Sequence, residues 1–298
     1  MSERLNELLP GQAVSAAPLL ASRRMTAAVT LLRRRPLLPL GIAVLLLALG
    51  WALVPGAFSH FDPLLGIPRQ ALQGPSTAHW FGTDHLGRDL YSRAVYGAAL
   101  SLHATALAVL IALGVGVFLG VIAGYFGGVL DAILMRLVEV LMAIPSLLLA
   151  MAVITVLGFG TVNIALAVGL SSVATFARLV RGEVLRWRTC VFVEAAACCG
   201  VGPWTIIRRH ILAHAAGPVL ALAALEFGSA VLSVSALSFL GFGAPPPQPE
   251  WGLLISEGRN YMVAAWWYTS LPGMVVAAVV LAANQLARAV QDTQGVQR

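Results

Sequence analysis

An all-α fold crossing a membrane several times is predicted by three observations. Hydrophobic residues make up 59% of the 298-residue chain, charged residues only 11%, and the mean hydropathy is +0.85. So little polar surface does not enclose one aqueous globule. The apolar residues also gather into long stretches, and about 18 of them in a row cross a hydrocarbon core of roughly 30 Å as a helix. Six such stretches are read, at 37–54, 100–125, 132–157, 162–180, 218–240 and 266–287.

Residues 1–36 form an N-terminal tail with no sustained periodicity up to about Pro18. Glu3, Arg4 and Glu7 interrupt any apolar core of the kind a cleavable leader needs. Arg23, Arg24 and the cluster Arg33 to Arg35 suit a surface helix or a tether to anionic lipid. The first span, 37–54, is bounded by that cluster and Pro36, with Trp51 near its far end. A loop follows at 55–99, then a five-helix core at 100–288 containing a polar loop at 180–214, then a tail at 289–298.

Within the core, Gly116, Gly120 and Gly124 recur every fourth residue and let another helix approach, either in this chain or in a partner. Pro145 removes a hydrogen bond inside the third span and can bend it beside a cavity. Glu226 lies well inside the fifth span. A carboxyl there is costly unless paired, protonated or facing water, so it reads as a pathway residue or as one end of an interhelical hydrogen bond. The prolines of 245–252 exclude helix and central strand and predict a stiff cap with Trp251 at the membrane interface.

All 19 basic residues are arginines, and their placement predicts orientation. Fifteen lie on the side of the N-terminus, and only Arg69, Arg88, Arg93 and Arg259 lie on the other. The positive-inside rule then puts both termini in the cytoplasm, with 55–99 and 241–265 outside. The same placement accounts for the net charge of +6 without a nucleic-acid partner. Lysine is absent, so a Walker A loop and its phosphate-binding ammonium are excluded. The six histidines are scattered, and Cys190, Cys198 and Cys199 lack metal or disulfide spacing. Neither catalysis, a metal site nor a cofactor is expected in this chain.

The loop at 180–214 is the unusual feature. Val180, Val184, Trp187, Val191 and Ala195 recur at helical steps and predict one apolar stripe, with Arg181, Arg186, Arg188 and Glu194 on other faces. Gly200 suits a left-handed helix end, and Gly202-Pro203 a turn into a second short helix striped by Trp204, Ile207 and Ile211. Two amphipathic helices meeting at a glycine turn either lie among lipid headgroups or seat in a soluble partner.

The segment Glu194-Ala195-Ala196 followed by Gly200 resembles the EAA motif of permease subunits in bacterial ABC importers. Arg209-His210-Ile211-Leu212 is similar to the ending of that motif in the dipeptide, oligopeptide and nickel branch, although Ala213 stands where proline is usual. Residues 79–98, 124–150 and 237–261 resemble three further signatures of the branch, in the pattern of its C-type subunit.

The resemblance implies a six-helix type I importer permease in a bacterial plasma membrane, with di- or oligopeptides as cargo and nickel or another small solute as the alternative. It implies a homologous B-type permease, two ABC ATPase subunits that bind ATP and Mg²⁺, and an external substrate-binding lipoprotein. Glu194, Ala195, Ala196, Gly200, Trp204, Arg208 and Ile211 would then couple to the ATPases. Gly82, Asp84, Gly87, Arg88 and Asp89 form a turn in which carboxylates grip the arginine, either as a structural clasp or as a rim that meets the binding protein. A proton-coupled transporter using Glu226 is the rival from another class, but it gives the elbow no task.

Overall fold

The computed structural model describes residues 37–295, and the side chains of 37–291; the N-terminal tail 1–36 lies outside the described residues. Among the described residues there are helices and loops but no strand, only an isolated antiparallel bridge between Thr83 and Asp89. This follows from the solvent: in hydrocarbon, backbone N–H and C=O groups find no water, and a helix pairs them within itself.

In chain order the helices are α1 (Leu38–Leu53), α2 (Leu90–Phe126), α3 (Gly128–Ala143), α4 (Ser146–Leu157) and α5 (Thr161–Arg188). Then come α6 (Val191–Cys198), α7 (Pro203–Phe239, with a π-helical segment at Ile206–Ile211), α8 (Trp251–Gly258) and α9 (Trp266–Gly295). Four helices, α2, α5, α7 and α9, are long and apolar enough to cross a membrane, and the bent pair α3–α4 makes up to five. With 16 residues, α1 is a shorter apolar helix.

The glycine ladder of α2 is answered within this chain, by α5. A Cβ on Gly120 would stand 2.6 Å from the Ala177 carbonyl oxygen, and one on Gly124 2.9 Å from Val184 Cβ. A Cβ on Gly116 would collide with Phe176. From the other side, Gly169 of α5 admits Ala108 of α2. Backbones this close gain dispersion contacts along their whole length, which drives helix pairing where lipid is as apolar as leucine. Around this pair, Ile154 of α4, Ile164 and Val168 of α5, and Val234 and Leu237 of α7 close one core cluster.

Three expectations are corrected. The second span begins at Leu90 rather than 100, because the Asp89 carboxylate caps it by accepting the Ser92 N–H at 2.7 Å. Its first turns carry Ser92 and Arg93, fully buried by protein, so polarity hides them from a hydropathy scan. The third span is two helices meeting at 97°. Pro145 caps α4 and holds Ile144 in an extended conformation, as the residue before a proline prefers. Finally, Trp251 is not interfacial: it is fully buried, and its indole N–H donates to the Ala94 carbonyl at 2.8 Å.

Candidate functional site

The elbow follows the end of α5. Thr189 and Cys190 break the helix, Cys190 with ψ 140, and the Thr189 hydroxyl donates to the freed Arg186 carbonyl at 3.2 Å. The break splits the predicted stripe. Val180 and Val184 are fully buried on α5, whereas Val191 on α6 is 80% exposed. Val193 takes its place in the core, packed with Val180, Val184, Ile206, Ile207 and Ile211.

The far end of α6 is closed by backbone geometry. Gly200 has φ +79, its N–H donates to the Ala197 carbonyl at 3.0 Å, and the Val201 N–H donates to Ala196 at 3.1 Å. These two bonds are a Schellman cap, which needs a residue in the left-handed region at the Gly200 position. The spacing from Ala196 to Gly200 is therefore a geometric requirement. No other atom lies within 4 Å of a Cβ placed there, so the constraint at Gly200 is its φ alone.

Beyond the turn, α7 starts at Pro203 and does not end as a short second helix: it passes through the π segment and runs on to Phe239. Ala213 keeps the N–H that a proline would lack, so nothing interrupts it. Aromatic rings lock the elbow to both flanking helices. Trp187 lies 4.6 Å from His214 between ring centres, Phe192 lies 5.3 Å from His214, and the His214 Nδ1–H donates to the His210 carbonyl at 2.6 Å. The Trp187 indole donates to Glu183 at 3.2 Å.

Glu194, Ala195, Gly200, Trp204 and Arg208 are all brought to the exposed side of this elbow, with Trp204 66% exposed. Glu194 stands in the first turn of α6, where its charge suits the helix dipole. Ala196 is half-buried. Ile211 is a correction: it is fully buried, with no surface to offer a partner, and belongs to the core that fixes the elbow.

At the opposite end of the bundle, Gly82, Asp84, Gly87, Arg88 and Asp89 do form a clasp. Asp84 Oδ2 accepts from Arg88 Nε at 2.5 Å and from Arg93 Nη1 at 2.8 Å, and its Oδ1 accepts the Leu86 and Arg88 N–H groups. Gly82 and Gly87 have φ of +73 and +75, and a Cβ on Gly87 would collide with the Ile67 carbonyl. Asp89 also takes the His79 ring nitrogen at 2.9 Å.

Sequence reasoning missed the rest of this network. Glu257 of α8 lies 3.1 Å from Arg93 Nη2 and accepts the Tyr268 hydroxyl at 3.2 Å, so two carboxylates and two guanidiniums balance in a nearly water-free site. Buried Glu250 holds the proline-rich loop by accepting Ser238 Oγ at 2.6 Å and the Ala244 N–H at 2.9 Å. The one available signal was that Glu250 and Glu257 fall inside the segment 237–261, which resembles a family signature.

Among the described residues, no group of three His, Cys, Asp or Glu side chains could hold a metal. What the two ends offer is mechanical: a rigid exposed elbow at one, a charge-knotted cap at the other. Residues 116–293, more than half of the chain, match the family of binding-protein-dependent transport system inner membrane components. The chain belongs to that family.

This permease is 42% identical over 225 residues to the dipeptide transport system permease protein DppC of Alkalihalophilus pseudofirmus, covering 76% of this chain and 74% of that one. It is 41% identical over 220 residues to the glutathione transport system permease protein GsiD of Pectobacterium atrosepticum, covering 74% and 73%. It is 36% identical over 251 residues to the probable D,D-dipeptide transport system permease protein DdpC of Escherichia coli K12, covering 84% of each chain.

Two solved structures share the fold. One is the inward-facing MetNI methionine ABC transporter, with TM-score 0.51, 19% identity, and 66% of this chain and 96% of that chain covered. The other is an amino acid ABC transporter with histidines, with TM-score 0.52, 16% identity, and 66% and 92% covered. The permease is thus a multi-pass inner-membrane subunit of an ABC importer and not an enzyme; such a subunit works in a complex with a second permease and with ATPases.

Proposed function

We propose that this permease is the C-type half of a peptide importer. It pairs with a homologous B-type permease to enclose the path, takes its driving force from two ABC ATPase subunits that bind ATP and Mg²⁺, and receives di- or oligopeptides from an external lipid-anchored binding protein. The arginine distribution supports cytoplasmic termini and a cytoplasmic elbow. The dipeptide and glutathione transport systems of the relatives support peptide-class cargo.

The observation that carries this reading is the elbow: α6 presents Glu194, Ala195 and Gly200, and α7 presents Trp204 and Arg208, on a unit tied to two long helices by Val193, Ile207 and Ile211. An ATPase that grips it and moves on closing nucleotide carries α5 and α7 along. The transporter then switches between inward-open and outward-open states as one bistable assembly. Trp204 fills a socket, Glu194 accepts hydrogen bonds from the partner, and Gly200 holds the turn. The clasp at residues 82–89 supports the rim on which the binding protein lands, and the bend at Pro145 gives α3–α4 a joint beside the path.

Uptake by the assembled complex in proteoliposomes tests this. It is expected to require ATP and both partner ATPases and to persist with a proton uncoupler. Uptake by this chain alone, or collapse with the uncoupler, overturns the reading. Nickel or another small solute on the captured binding protein would change the cargo and leave the mechanism standing.

A further inference from the structure

One polar line inside the bundle has no part in the coupling just described. On α7, Glu226, Ser229 and Ser233 recur at steps of three and four and share a helix face. On α5, Ser172 and Thr175 stand three residues apart, and Ser172 lies beside the Glu226 carboxyl where the two helices pack. Joined through the elbow, the two helices run in opposite directions. The line therefore reads Thr175, Ser172 beside Glu226, Ser229, Ser233, and extends roughly 15 Å along the bundle at a helical rise of 1.5 Å per residue.

Ser229 is exposed in this chain, and the other four are half-buried. The hydroxyls of Thr175, Ser229 and Ser233 hydrogen-bond to no described residue. Unpaired hydroxyls and a carboxyl are costly against hydrocarbon, so a line of them at one seam marks contact with water. The outer arcs of α1 and α3 differ, with Leu40, Leu46, Ile133 and Val140 all more than half exposed.

Resting on the peptide-importer reading, we propose that the α5–α7 seam is one wall of the solute path and that Glu226 receives the ammonium of a passing peptide's free amino terminus. Ser172 holds the carboxyl in place. Ser229 and Ser233, on the side away from the elbow, offer hydroxyls that replace water on the peptide's own N–H and C=O groups. The second permease supplies the opposite wall, which explains why this face is only half covered here.

The assembled importer in proteoliposomes, with Cys190, Cys198 and Cys199 replaced by serine, provides the test. Ser229→Cys is expected to react with a charged, membrane-impermeant methanethiosulfonate reagent, and Leu46→Cys on α1 to resist it. Glu226→Gln is expected to lower uptake of dialanine about tenfold while ATP hydrolysis stimulated by the binding protein persists, and Glu226→Asp to recover part of the loss. An unreactive Ser229→Cys overturns the wall, and dialanine uptake at the unsubstituted rate by Glu226→Gln overturns the ammonium contact. A complex that moves no dialanine before any substitution counts against peptide cargo itself, and Ser229→Cys labelling still decides the wall.

Discussion

Asp131 and Arg181 meet in a two-point ion pair, Nε to Oδ1 at 2.5 Å and Nη2 to Oδ2 at 2.6 Å. It fastens the first turn of α3 to α5 just before the elbow, and so ties the helix that leads to the bend at Pro145 to the root of the elbow. Lysine at 181 keeps the charge but loses the fork. Because both side chains are partly open to solvent, Arg181→Lys and Asp131→Asn are each expected to cost about 1 kcal/mol. Melting of the purified complex measures this: a fall in Tm for both variants is expected, and an unmoved Tm would show the pair to be idle.

Asp84 is the keystone of the opposite end, with four donors converging on a carboxylate that is 0% exposed. Removing it leaves Arg93 buried beside Arg88 with only Glu257 to balance them. Asp84→Ala is expected to destabilise by about 3–5 kcal/mol, the cost of orphaning a buried charge. Glu257→Gln is expected to cost less, since Glu257 reaches water and glutamine keeps an acceptor for Tyr268. The yield of folded protein in membranes ranks the two, and equal yields would contradict the ion network.

Two residues of α7 separate folding from partner contact. Ile211→Ala is expected to cost about 2–5 kcal/mol by opening a cavity in the elbow's core. Trp204→Ala removes an exposed ring and is expected to change stability by no more than about 0.5 kcal/mol. If Trp204 is the knob the ATPase grips, the same variant weakens ATPase attachment by about 30-fold, the scale of a buried aromatic anchor. Titrating purified ATPase onto both variants checks this, and full affinity in Trp204→Ala would move the socket elsewhere.

The glycines of α2 supply an internal control. Gly120→Ala pushes a methyl to 2.6 Å from the Ala177 carbonyl and is expected to cost about 1–3 kcal/mol. Gly114 has nothing within 4 Å of the same position, and Gly114→Ala is expected to gain about 0.5–1 kcal/mol from helix propensity. Opposite shifts in Tm are the expected result, and parallel shifts would contradict the α2–α5 packing.

Local features were legible in the sequence, and distant ones were not. Gly200, Pro145 and the glycine ladder act through their own backbone, so their residue type already states their effect. Asp84 and Arg88 are four apart and pair within one turn. Arg93, Glu257 and Tyr268 come from three elements that only the folded bundle brings together, and no spacing encodes that. Trp251 was misplaced because an indole after prolines at the end of a span suits a membrane interface, while here α8 folds back and buries it. The elbow's stripe failed at Thr189 and Cys190, where a threonine that bonds back to Arg186 ends the helix inside an unbroken periodicity.

The most direct test of the account is the amount of solute imported per ATP hydrolysed when Gly200 is replaced in the assembled importer. Gly200→Asn tolerates the left-handed backbone and is expected to keep the ratio. Gly200→Pro, barred from φ +79, is expected to leave ATP hydrolysis running while the ratio falls at least about tenfold. A Gly200→Pro complex that folds, hydrolyses ATP and imports with an unchanged ratio would contradict the elbow as the transmitter.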